Sequence, residues 1–208
     1  MALDNWLAFA AAAAILLAIP GPTVLLVISY ALGHGRRPAA AIVAGVALGD
    51  LTAMTASVAG LGAVLAASAV LFTALRWIGG AYLVYMGIKL WRAPVGSAEM
   101  MDMPRVSLSR MFGHAYAVTA LNPKSIVFFV AFVPQFITAH SPFLPQVIEL
   151  EATFVTLAAL NAALFALLAS SARSTLRKPK VQRVVNRTGG GLLIGAGLMA
   201  VGWRKVAA

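Results

Sequence analysis

The chain contains no cysteine, which removes disulfides, thiolate metal sites and cysteine nucleophiles together and leaves the redox compartment open. Charge is nearly as scarce, at 11% of 208 residues. Histidine is limited to His34, His114 and His140, all near the ends of apolar runs, and no histidine or acid pair has metal-ligand spacing. No Gly-x-Ser-x-Gly elbow is present either. An intramembrane enzyme, a metal site and a haem-binding bundle therefore all lack the residues they need, and no cofactor is expected.

What is there is apolar. Hydrophobic residues make up 61% of the chain and the mean hydropathy is +0.90, which excludes a soluble globule and points to a polytopic membrane protein. The formal net charge of +10 would suit nucleic acid, but the basic residues sit at a few junctions between apolar runs and form no aromatic-interleaved stripe. They read as topology signals, and no nucleic-acid partner is expected.

Six spans are predicted: about Trp6 to Tyr30, Pro38 to Leu65, Leu71 to Leu90, Phe112 to Thr138, a fifth ending near Ala172 after the connection His140 to Glu151, and Gly189 to Trp203. The first run is too long for a signal-peptide core and reads as a retained span. Alternating the loops places Arg36, Arg37, Lys89, Arg92, Arg105, Arg110 and the six basic residues between Arg173 and Arg187 on one face, against Arg204 and Lys205 on the other. The positive-inside rule makes the first face cytoplasmic and both termini external. The expectation is one transmembrane domain over 1–208, with three-helix halves at 1–91 and 111–208 joined by a cytoplasmic loop at 92–110.

Two spans carry proline at mid-depth: Pro20-Gly21-Pro22-Thr23 in the first, Leu121-Asn122-Pro123-Lys124 in the fourth. Each proline deletes a backbone donor and crowds the preceding turn, so a continuous helix breaks there. Gly21 with Pro22, and Asn122 with Pro123, each supply a cap followed by a proline at the first helical position, the chemistry of a restart. Three spans per half is an odd number, so the halves run oppositely: an all-α fold of two inverted three-helix repeats, as in secondary transporters whose broken helices meet at the midplane. Two unrelated proline kinks are the plainer reading.

The second span holds Gly45-xxx-Gly49, a close-packing spacing, and then Asp50. A carboxylate near the bilayer centre costs about 3 kcal/mol on insertion scales, so Asp50 needs a partner or a wet cavity. Arg76, about a turn and a half inside the third span, and Gln135 and Asn161 rank second: a snorkelling or interhelical role explains each as well as a substrate contact does. Phe128 and Phe129 read as lipid-facing or packing residues rather than a gate.

Pro20-Gly21-Pro22, the Gly33 turn with its arginines, Gly45-xxx-Gly49-Asp50, and Asn122-Pro123-Lys124 followed by Phe129, Pro134, Gln135 and Phe136 together resemble the lysine exporter / homoserine and threonine resistance (LysE/RhtB) family of bacterial amino-acid exporters. The resemblance covers essentially the whole chain. It implies a multi-pass exporter of amino acids or close derivatives in the bacterial inner membrane, driven by the proton gradient and dimeric. Thr23, where many members carry asparagine, and Pro38, which interrupts the usual small-residue run, are departures that touch substrate choice and leave the architecture alone.

An amino acid offers a carboxylate and an ammonium, and the chain has a candidate for each. The N–H groups opening the two restarted helices favour an anion. Gly21, Pro22, Thr23, Asn122, Pro123, Lys124 and Asn161 are therefore candidate substrate-binding residues. Asp50 is the candidate for the ammonium or the coupling proton, and a permanent Asp50 to Lys124 pair is the alternative. A channel or a membrane scaffold fits the composition equally well, but leaves the opposed breaks and the buried charges without a purpose.

Overall fold

The computed structural model describes residues 1–34, 38–67, 69–94, 106–138, 140–176 and 178–202. Helix α1 (Leu3–Ala18) ends where Pro20 removes the next donor, with Ile19 extended before the proline. Helix α2 (Pro22–His34) starts on Pro22. Two long helices follow, α3 (Ala39–Ala67) and α4 (Ala69–Trp91). Helix α5 (Leu108–Ala120) is capped by the Ser107 hydroxyl, and α6 (Pro123–Ala131) restarts after Asn122 and runs into a short 3₁₀ turn, Val133–Phe136. Helices α7 (Phe143–Leu176) and α8 (Pro179–Gly202) close the chain.

The described residues are otherwise helical or loop, with no strand. Helix α3 over Ala39–Gly60 and α7 over Phe143–Ala169 are long and apolar enough to cross a membrane. The pair α1 and α2, bent by 57°, and the pair α5 and α6 with its turn, bent by 42°, add two more if each counts as one broken span. Among the described residues α4 and α8 do not meet that criterion.

Two connections expected from hydropathy are largely helical. Helix α7 begins at Phe143, so Glu149 and Glu151 lie in its first turns, and α8 begins at Pro179, inside the basic connection. The reason is physical: hydropathy marks where a helix meets lipid, whereas polar residues such as Glu, Lys, Arg and Gln continue a helix well beyond that zone. Gly35, Arg36, Arg37, Glu99, Asp102, Arg105, Arg177, Arg204 and Lys205 lie outside the described residues.

Helices α3 and α7 pack on each other and each on one of the broken helices, α3 against α5 and α6, α7 against α1 and α2. Helix α4 lies along α8. Lipid tails are as apolar as leucine, so such contacts depend on close backbone approach more than on apolar burial. The Gly45-xxx-Gly49 face supplies it: a Cβ at Gly45 would stand 2.5 Å from the Phe112 carbonyl oxygen, and one at Gly49 would stand 2.8 Å from Thr119 Cβ. The α4 and α8 seam is built the same way, with Gly87 against Gly190 and Gly80 against Gly197.

The buried apolar side chains form two cores. The first joins α1, the middle and distal part of α3, α6 and the first half of α7, and is rich in aromatics, with Phe128 and Phe129 fully buried in it rather than facing lipid. The second joins Val27, Tyr30 and Ala31 of α2, Ile42 and Val46 of α3, Met111 and Ala115 of α5, and Ala162, Ala166 and Ala169 of α7. Between them lies a polar layer.

Candidate functional site

Breaking a helix frees carbonyls as well as removing donors, and buried carbonyls need partners. At the end of α1 those partners come from the other half of the chain. Lys124 Nζ donates to the Leu16 carbonyl at 2.9 Å and the Ile19 carbonyl at 2.8 Å, and Asn161 Nδ2 donates to the Leu17 carbonyl at 3.1 Å. A cation at a helix C-terminus also opposes the partial negative charge there. A Cβ at Gly21 would sit 3.3 Å from Lys124 Nζ, so glycine leaves the ammonium its approach.

The second break is organised by its cap. Asn122 Oδ1 accepts from the Lys124 backbone N–H at 3.1 Å while Asn122 Nδ2 donates to Thr23 Oγ1 at 3.1 Å, and Thr23 Oγ1 lies 3.2 Å from Thr119 Oγ1. One asparagine thus caps α6 and ties it to the start of α2. The two breaks hold each other, α6 through Lys124 on the end of α1 and through Asn122 on the first turn of α2.

Between them is a cavity of about 20 Å³, lined on its polar side by Thr23, Asp50, Asn122, Lys124, Ser125 and Asn161. That is space for about one water molecule and too little for an amino acid. Asp50 is 2% exposed and Lys124 4% exposed, yet among the described residues no ion pair within 4 Å joins them. Asp50 Oδ1 has no hydrogen-bond partner. A buried, unpartnered carboxylate oxygen facing a small cavity beside a committed ammonium is an arrangement ready to take a proton or a cation.

Of the residues singled out from sequence, Gly21, Thr23, Asp50, Asn122, Lys124 and Asn161 line this one cavity, although they come from four helices or their N-terminal ends, α2, α3, α6 and α7. Pro20 forms the α1 break, and Pro22 and Pro123 start α2 and α6; none of the three lines it. Gln135 bonds locally to the Ala131 carbonyl at 2.7 Å and stands apart from the cavity, and the Arg76 side chain lies outside the described residues. The Lys124 ammonium rests on carbonyls and, among the described residues, makes no ion pair with Asp50. Sequence reasoning missed Ser125, the Thr119 link and the apolar lining of Val24, Val27, Val46, Ala158, Ala162 and Phe165. Helical spacing held the signal: Val46 is one turn from Asp50, and Ala158 and Phe165 flank Asn161 on its own face.

A larger void of about 350 Å³ lies between α1, α6 and α8, lined by side chains such as Ile15, Phe132, Leu192 and Met199, with none of the predicted site residues. Its walls are apolar and hold no side-chain group that would orient a ligand, unlike those of the smaller, polar cavity.

An uncharacterized membrane protein of Vibrio cholerae is 32% identical over 199 residues, covering 96% of this chain and 97% of its own. A homoserine/homoserine lactone efflux protein of Salmonella typhi is 33% identical over 199 residues, covering 94% and 96%. A leucine efflux protein of Salmonella choleraesuis is 30% identical over 139 residues, 66% of each chain. No solved structure gives a significant match. The model of the LysE type translocators matches residues 14–202, both helix breaks and the whole polar layer included, and the chain belongs to that family of membrane transporters.

Proposed function

We propose that the protein exports amino acids or close amino-acid derivatives across the bacterial cytoplasmic membrane, exchanging them for protons at the polar layer. The observation that carries this reading is Asp50, a buried carboxylate with an unpartnered oxygen, set between two apolar cores and beside two helix breaks. The names of the efflux proteins of Salmonella support the substrate class. Thr23, Asn122, Lys124 and Asn161, with the backbone of Gly21, Pro22 and Pro123, receive the substrate carboxylate, and Asp50 holds the proton in one state and the substrate ammonium in another. With about 20 Å³ between them the site is closed, and passage requires the two cores to part in turn.

The architecture we infer is six spans in one domain, halves at 1–91 and 111–208 inverted about the membrane plane and joined by a cytoplasmic loop at 92–110, with both termini outside. The mutual packing of α3 with the second broken helix and of α7 with the first supports the repeat. A homodimer in lipid completes the reading.

Proteoliposomes loaded with a panel of amino acids, with and without a pH gradient, test it. Saturable counterflow accelerated by the gradient is expected, and Asp50→Asn abolishes that acceleration. Export of none of the panel removes the functional reading, and undiminished proton-coupled export by Asp50→Asn removes the exchange mechanism alone.

A further inference from the structure

The polar groups of the cavity occupy only part of its wall. On three helices the residue one turn beyond the polar group, always toward the second core, is apolar: Val27 after Thr23 on α2, Val46 before Asp50 on α3, and Phe165 after Asn161 on α7. Helices α2 and α7 enter the second core at their C-terminal ends and α3 at its N-terminal end, so the three steps point the same way. Ala162, the smallest member of that wall, stands between Asn161 and Phe165. None of these side chains carries a hydrogen-bonding group.

We propose that this wall is the side-chain subsite of the transporter and that Val46, Ala162 and Phe165 set its selectivity, for neutral amino acids with apolar side chains. The inference rests on the reading of the protein as an amino-acid exporter. With the substrate carboxylate and ammonium at the polar layer, its side chain extends toward one core or the other. Both cores are buried, but the first is filled by the rings of Phe128, Phe129 and Phe154, whereas half of the second is alanine, side chains that a substrate group displaces more readily. A lysine, arginine or glutamate side chain would leave its charge unpaired against this wall and is rejected. A hydroxyl is rejected only weakly, because an apolar wall discriminates against an added hydroxyl by about 100-fold at most.

The test is counterflow in proteoliposomes with leucine, alanine, homoserine, serine and lysine, for the wild type and for Ala162→Leu, Phe165→Ala and Val46→Thr. Leucine is expected to outrun serine and lysine in the wild type. Ala162→Leu should lower the leucine-to-alanine ratio about 10-fold, Phe165→Ala should raise it, and Val46→Thr should raise homoserine relative to leucine about 10-fold, the range a methylene or one hydroxyl contact commands. Val46→Thr is nearly isosteric and carries the test if a bulkier change fails to fold. A wild type that prefers serine or lysine, or a rank order unchanged in every folded variant, overturns the subsite while leaving amino-acid export standing. No export of any amino acid overturns both.

Discussion

Lys124 and Asp50 are each buried, each able to carry full charge, and not paired with one another. The lysine is satisfied by two carbonyls that the α1 break released, and the acid is left with one oxygen unsatisfied. Retaining an acid in that state costs stability, so Asp50→Asn should unfold in detergent at a temperature at least as high as the wild type while losing gradient-driven export. A clearly lower midpoint would make Asp50 a structural group. Asn122→Ala should behave in the opposite sense. It deletes a helix cap, worth about 1 kcal/mol, and the tie to Thr23, so a lower thermal midpoint is expected. Asn122→Asp keeps the cap and should recover part of that loss.

At the level of the elements, the helices meet through glycines rather than through large apolar side chains. The Cβ of any other residue at Gly45 or Gly49 would press on α5 backbone or on Thr119, neither of which can swing aside. Gly49→Leu should therefore part α3 from α5 and reduce the yield of folded protein, read as monodispersity on size exclusion, whereas Gly60→Ala, with nothing within 4 Å, should be silent. Equal behaviour of the two would show that the seam does not hold the fold. The breaks were legible in the sequence because their causes are local: Pro20, Pro22 and Pro123 lack donors, and Asn122 caps through a residue two positions away. The starts of α7 and α8 were not, because nothing in their polar first turns distinguishes a helix from a loop by hydropathy alone.

For the molecule as a whole, the proposed orientation rests on the distribution of Lys and Arg, and the absence of cysteine makes it directly measurable. Exposed Ser141 and Ser109 lie in connections expected on opposite faces. In intact cells a membrane-impermeant maleimide should label Ser141→Cys and spare Ser109→Cys until the cells are opened. Labelling of both from outside would cancel the assignment.

Composition, the two helix breaks, the buried acid and the family resemblance follow from the sequence by itself, since each depends on residue chemistry or on neighbours within one helical turn. What faces what does not. Lys124 reaches carbonyls 108 and 105 positions away, and Asn161 reaches one 144 positions away. Those partners exist only because α3 and α7 bring the broken helices together, and a tie between distant residues leaves no periodicity in the chain to read. The tertiary structure therefore decided that the lysine belongs to the end of α1, that one oxygen of Asp50 is left without a partner, and that the polar layer has an apolar wall on one side.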